Sequence, residues 1–384
     1  MRARKLVPRG DRLSILLSGM LAGVPGQGGA SWAVLQYLLG LRRLGHEVLF
    51  VEQVDAGGPL EHTAAGRYFE DLVAAFDLQG GAALLDRRGG ATLGVERGRI
   101  ERFARGADLL LNLSGAVDDP DLVAPINVRA YVDLDPGFTQ LWTEAEGIDL
   151  GLERHNRFIT IGQDIGAPDS PIPTGSRSWI TTLQPIVLEH WPIGGGEPEP
   201  ALSMVGHWRG YGSIEYRGTR YGQRAHSLRA LVGLPSRLPV PVVAALAIDP
   251  GETKDVAALR RHGWRLVDPD AVAGTPGRYR RFVGGSWAEL GIAKSGYVAA
   301  ACGWFSDRSV CFLASGRPVV AQDTGFAAHL PTGRGLMSFH DTDGALAAVE
   351  EVRGDYPEHR RAAREIAEQL FDSDRVLTRL LACM

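Results

Sequence analysis

The chain has 384 residues, is 45% hydrophobic and 22% charged, and carries a formal charge of −4. That length is enough for two domains with separate cores, and a mildly acidic total argues against a nucleic-acid-binding protein, whose domain is usually basic. Three cysteines (Cys302, Cys311, Cys383) show neither a disulfide framework nor metal spacing, which points to a reducing cytoplasm. After the basic start 1–12, the apolar run 13–17 is too short for a signal-peptide core or a membrane span.

In chain order, 13–17 reads as a buried strand running into a glycine-rich loop at 18–30. A helix over 31–44 and a strand at 48–51 complete a βαβ unit with right-handed parallel topology. Gly26-Gln-Gly28-Gly29 does not keep the spacing of a dinucleotide fingerprint, and no acid stands out above Glu52, so NAD binding is disfavoured. Gly28 and Gly29 instead let a backbone approach a polar ligand closely. A helix at 67–76 and strands at 107–113, 127–132 and 157–162 follow. The strand at 127–132 ends in Asp133-Leu-Asp135, and the strand at 157–162 is followed by Gln163-Asp164. Asp-x-Asp can hold a divalent metal against a diphosphate, but no further ligand cluster accompanies it, and no metal site is expected. The polar strand-end loops 26–30, 114–118, 133–140 and 162–166 should gather along one edge.

Between 165 and 200 prolines and Gly194-Gly-Gly196 mark an irregular joint. Strand-helix alternation then resumes, with strands at 201–205, 240–248, 264–267 and 318–322 and helices at 221–231 and 255–262. The stretch 303–320 is the most informative. Ser306 reads as an N-cap, 307–315 as a short helix, Gly316 as its left-handed end and Pro318 as its stop. The strand after it ends in Asp323-Thr324-Gly325. A helix N-terminus beside a polar strand-end loop suits a phosphorylated ligand. A strand at 335–339, a helix at 342–352 and a helical tail at 358–381, interrupted near Asp372, close the chain. The expected class is α/β, with two Rossmann-like domains facing a cleft: residues 1–190, then 191–355, then a helical segment 356–384.

The motifs Ala-Lys-Ser-Gly-Tyr297, Gly303-Trp-Phe-Ser-Asp-Arg-Ser309, Leu-Ala-Ser-Gly-Arg-Pro-Val319 and Asp-Thr-Gly-Phe326, with the glycine loop before a Trp-containing helix, resemble the GT-B glycosyltransferases. The resemblance implies an N-terminal acceptor domain, a C-terminal domain for a nucleotide-diphosphate sugar, and a final helix crossing back. It implies transfer of a sugar, of hexosyltransferase type, to a small-molecule or glycan acceptor, without metal or a cofactor beyond the donor. Many retaining members carry two glutamates eight residues apart; Gly303 and Cys311 stand at the matching positions here.

Sugar transfer needs charge neutralisation on the departing diphosphate. Lys294, Arg308, Arg209 and the N–H groups after Ser306, with Asp307 at the helix start, are the expected donor contacts. Lys294 stands out because the chain has only three lysines, Lys5, Lys254 and Lys294. Asp323, Thr324 and Gly325 are placed to read donor hydroxyls. An inverting reaction also needs a base on the acceptor side, for which Asp135, Asp133, Asp118 and His155 are the candidates, and Gly28, Gly29 and Gln163 would contact the acceptor. Trp208 and Tyr297 either stack on the base or pack in the core. The expected partners are a nucleotide sugar and its acceptor, with no nucleic acid and no membrane segment; a homodimer is allowed. A sugar-nucleotide epimerase or hydrolase, or a degenerate partner subunit, are the alternatives, since one fold hosts many functions.

Overall fold

A computed structural model describes residues 12–384. The first half builds one sheet from β1 (Ser14–Ser18), β2 (Glu47–Val54), β3 (Ala82–Asp86), β4 (Thr92–Gly94), β5 (Leu109–Leu113), β6 (Val128–Asp133), β7 (Arg157–Thr160) and β8 (Trp179–Thr181). Their order across the sheet is β4-β3-β2-β1-β5-β6-β7-β8, parallel except for β4, which runs antiparallel to β3. Ile15, Leu16 and Leu17 of the central β1 are fully buried, as a parallel strand covered by helices on both faces must be. Register follows directly, Leu16 lying opposite Leu49 on one side and Leu110 on the other.

The second half adds β9 (Leu202–His207), a two-stranded hairpin of β10 (Ile214–Tyr216) and β11 (Thr219–Tyr221), then β12 (Val242–Ala247), β13 (Trp264–Leu266), β14 (Ala288–Gly291), β15 (Val319–Gln322) and β16 (Leu336–Phe339). Apart from the hairpin these form an all-parallel sheet in the order β13-β12-β9-β14-β15-β16. Both sheets therefore reverse strand order beside their first strand, at β1/β5 and at β9/β14. Doubly wound sheets bind ligands outside the carboxyl ends of the strands at such points.

The two-sheet α/β architecture is the one the sequence implies. Several elements differ in detail. Tyr221, read as the start of a helix, ends the hairpin, and the helix itself spans Arg224–Ala230. The joint contains a strand, β8, on the edge of the first sheet. The tail breaks where expected: Asp372 caps the last helix, Ser373–Ala382, by accepting the Asp374 amide at 2.8 Å. That helix lies on the first one, Gly28–Arg43, with Leu377 against Gly40 and Arg43 paired to Asp374 at 3.1 Å.

The halves are not separate bodies touching at a rim. Phe138, Leu141, Ile161, Ile165 and Ile172 of the first share one buried apolar cluster with Ile214, Tyr221, Tyr297, Cys302 and Trp304 of the second. Trp32 donates its indole N–H to the Pro276 carbonyl at 2.9 Å. Gly28 begins the first helix against the backbone of the second half, where a Cβ would lie 2.3 Å from the Thr275 carbonyl.

Candidate active site

Two cavities open at the switch points and meet between the halves. The one against the second sheet, about 820 Å³, is walled by the ends of β9 and β12, by Arg209, Gly210 and Tyr211, and by Arg224, Lys294 and Arg308. The other, about 890 Å³, lies over the first sheet and includes Glu52, Gln53, Asp55, Tyr37 and Cys311. Met20, Pro25, Ala30, Asp135 and Asp307 line both.

The cavity against the second sheet gathers cations for a structural reason. Arg224 enters at the start of its helix and lies buried across the strand ends, donating to the Ile292 carbonyl at 2.9 Å and the His207 carbonyl at 2.9 Å. Gly206 makes the room, since a Cβ there would sit 2.4 Å from an Arg224 nitrogen. Among the described residues no carboxylate is within ion-pair distance of Arg224. Burial and then the nearby Arg308 push its pKa down to about 10. Arg308 is neutralised by the fully buried Glu289 of β14 at 2.5 Å. Arg209 pairs with Glu252 at 2.7 Å on the rim.

Lys294, immediately before the short helix Ser295–Ala300, reaches across to Asp135, 3.3 and 3.4 Å from its two oxygens. Its ammonium lies over the rings of Tyr211 at 4.0 Å, and of Phe138 and Tyr297, both at 5.1 Å. Burial lowers the lysine's pKa, opposed by the Asp135 charge. Tyr211 donates to Asp135 at 2.8 Å, and Tyr297, stacked on Trp304, donates to it as well.

Asp135 owes its position to Asp133. That carboxylate is fully buried and accepts from the Asp135 amide at 2.9 Å, the Thr139 hydroxyl at 2.6 Å, Gln140 at 2.8 Å and the Thr160 hydroxyl at 2.8 Å. Burial raises its pKa to about 6 against the pull of those hydrogen bonds. The two aspartates thus have different partners.

Other expected residues lie elsewhere. Asp133, expected as a candidate base, is fully buried, bonds only groups of the fold and lines neither cavity. His155 is buried between Asn112 at 3.1 Å and the Gly151 carbonyl at 2.8 Å, and burial pushes its pKa down to about 4; it lines neither cavity. Asp118 is paired with Arg87 at 2.5 Å. Gln163 donates to the Thr182 carbonyl at 2.7 Å, away from both cavities. Gly28 is spent on the contact between the halves, and only Gly29 reaches a cavity wall. Ser306 occupies the N-cap position of the helix Asp307–Ala314, but its side chain makes no capping bond. Asp323 turns back to accept the amides of Gly325 at 3.0 Å and Ala327 at 3.3 Å. Thr324 bonds the Trp304 carbonyl, and Gly325 takes a positive φ of 94° in that turn. None of these three meets either cavity. Asp307, by contrast, faces both, and burial raises its pKa.

Arg224, Tyr211, Glu289 and Glu52 were not anticipated as site residues. Nothing local distinguishes Arg224 in an arginine-rich chain. The glycine at 303 is enforced: its φ is +71°, and a Cβ would lie 2.8 Å from an Asp164 oxygen and 2.9 Å from Gln163. A glutamate cannot be accommodated there.

No family model matches the sequence, and no curated protein matches it. Solved structures do match over nearly the whole chain. An alpha-glucosyltransferase in complex with UDP and a mismatch-containing DNA 13-mer is 12% identical, with a TM-score of 0.62 over 97% of this chain and 99% of that one. HepE of Anabaena, in complex with UDP and glucose, is 12% identical, TM-score 0.58, over 97% and 100%. A glycosyltransferase from Rickettsia africae is 10% identical, TM-score 0.53, over 97% and 98%. The fold is GT-B. The exclusion of a nucleic-acid partner is withdrawn: alpha-glucosyltransferases of this fold are seen with DNA, so a mildly acidic net charge does not decide the matter. Among the described residues, no helix is long and apolar enough to cross a membrane.

Proposed function

We propose, from a fold shared with UDP-bound glycosyltransferases, that this chain transfers a sugar from a nucleotide-diphosphate donor to an acceptor hydroxyl. The donor occupies the cavity of the second sheet and the acceptor that of the first, so residues 191–355 serve as donor domain and 1–190 as acceptor domain. The observation that carries this reading is Arg224, a buried guanidinium without a carboxylate partner among the described residues, lying across the strand ends at the edge of an open cavity.

In the reaction, the acceptor oxygen bonds to the anomeric carbon as the bond from that carbon to the diphosphate breaks, and the hydroxyl proton passes to Asp135 at the junction of the cavities. Arg224, Lys294 and Arg308 supply positive charge where negative charge develops, in a site shaped before the substrate arrives. Side-chain cations fill the part that a divalent metal plays elsewhere, so transfer is expected to proceed without one. The acceptor is a small molecule or glycan bearing a hydroxyl, and a DNA duplex belongs in the same trial because the fold is seen with DNA.

Thermal denaturation with UDP-, dTDP-, GDP- and ADP-glucose tests the donor site. A ligand of the folded state at 100 times its Kd adds about 2.7 kcal/mol of stability, and one of the four is expected to do so. Sugar transfer should then persist in excess chelator. Absence of a shift with all four would sink the reading; donor turnover that needs no acceptor would replace it with a hydrolase or epimerase.

A further inference from the structure

Asp135 is, with Asp307, one of two carboxylates at the junction of the two cavities, where an acceptor hydroxyl would pass on its way to the donor. It is not free to meet one. Tyr211 donates at 2.8 Å, Tyr297 donates to Oδ1, and Lys294 stands 3.3 and 3.4 Å from the two oxygens. An ionised carboxylate offers about four lone-pair sites, and these three groups, all from the second half, crowd the oxygens.

The three holders differ in how firmly they are bound. Tyr297 is stacked on Trp304 at 3.9 Å between ring centres, and Tyr211 packs edge-on against Phe138 and Trp142 at 4.8 and 4.6 Å. Both are neutral and fixed by aromatic packing. Lys294 is charged and donates to the Tyr211 hydroxyl, but its distances to Asp135 itself exceed the roughly 2.7–2.9 Å of a strong charge-assisted bond. It also lines the donor cavity beside Arg224, whose charge repels it. A dianion in that cavity would relieve the repulsion and offer the ammonium a second partner. Lys294 is the one holder of Asp135 with an alternative position to take.

We propose that Lys294 senses the donor: in the empty cleft it holds Asp135, and when a nucleotide diphosphate enters it turns to the phosphate oxygens, leaving Asp135 able to accept the acceptor hydroxyl. This rests on the donor site proposed above and adds an order to it, donor first and acceptor second. Lys294 acts on the acceptor through Asp135 and is in that respect a positioning residue.

A double-mutant cycle on UDP binding, measured calorimetrically, separates this exchange from simple charge repulsion. Asp135→Asn removes the competitor for the ammonium, so it should tighten UDP about tenfold in the Lys294 background and by less than twofold in a Lys294→Met background. Equal tightening in both backgrounds would mean that Asp135 merely repels the phosphates, and would overturn the exchange; no tightening would overturn it too. Asp135→Ser repeats the cycle if the asparagine variant does not fold. Failure of the wild-type chain to bind UDP, dTDP, GDP or ADP would be a different result, removing the donor site and the inference together.

Discussion

The two switch points have the same strand order and opposite electrostatics. Beside β1, the loop amides of Leu21, Ala22 and Gly23 point at one spot, as in a phosphate-binding loop. That spot is already filled by Glu52 from β2, at 3.1, 2.7 and 2.8 Å. Beside β9 no acid fills the corresponding space; Arg224 spans the strand ends and Lys294 and Arg308 stand near it. The first edge fills its ring of amides with its own carboxyl group, while the second leaves Arg224 without a carboxylate partner among the described residues. Topology brings loops together at both, and on the proposed reading side-chain charge decides which of them takes the phosphorylated donor.

The comparison breaks most sharply at Arg224. Arg224→Met removes a buried cation while leaving the apolar stem. With hydrogen bonds to charged groups contributing about 1.5–3 kcal/mol each, nucleotide affinity should fall about 100-fold, near 2.7 kcal/mol. Titration of UDP into the folded variant checks this. Affinity within threefold of wild type would place the phosphates elsewhere.

At the first edge the expected effect appears in stability and not in ligand affinity. Burial raises the Glu52 pKa from 4.5 to about 7, the three amides opposing that shift. Between those values the folded chain holds a proton that the unfolded chain has released, so this group's contribution is fully present below pH 4.5 and is lost as pH rises through 7. The loss is on the order of 3 kcal/mol. Glu52→Gln should abolish this part of the pH dependence, leaving among others that of Asp133, which has the same sign, and that of His155, which has the opposite sign. It should also destabilise at pH 5 by about 1–3 kcal/mol, because an amide cannot accept all three bonds. Urea unfolding at pH 5 and pH 7.5 separates the two; an unchanged slope for the variant would show that Glu52 is ionised throughout.

Much of this fold was legible because it rests on local pattern. The buried runs of β1, β5 and β15, the break at Asp372 and the stop at Pro318 are each written in a few neighbouring residues. Lys294, singled out because lysine is rare in this chain, lines the cavity of the second sheet. Asp135 was recognised as a cleft residue, but its neighbour Asp133 looked the same in sequence and faces inward to Thr139, Gln140 and Thr160. Partners 27 residues apart leave no local signal. Glu289 and Arg308 meet only after β14 and the following helix pack, and Arg224 becomes special only because strand ends 17 and 68 residues away supply its carbonyls.

The smallest expected effect concerns the turn after β15, which looked like a sugar-reading loop. Asp323 instead holds that turn together, accepting two amides, with His340 a further 3.7 Å away on the surface. Asp323→Ala leaves those amides without this partner, and because the turn lies at an accessible edge water can replace part of what is lost. The expected cost is about 1 kcal/mol of stability, with donor affinity unchanged within twofold. A tenfold loss of donor affinity at unaltered stability would move the sugar out of the Arg224 cavity and toward the end of β15.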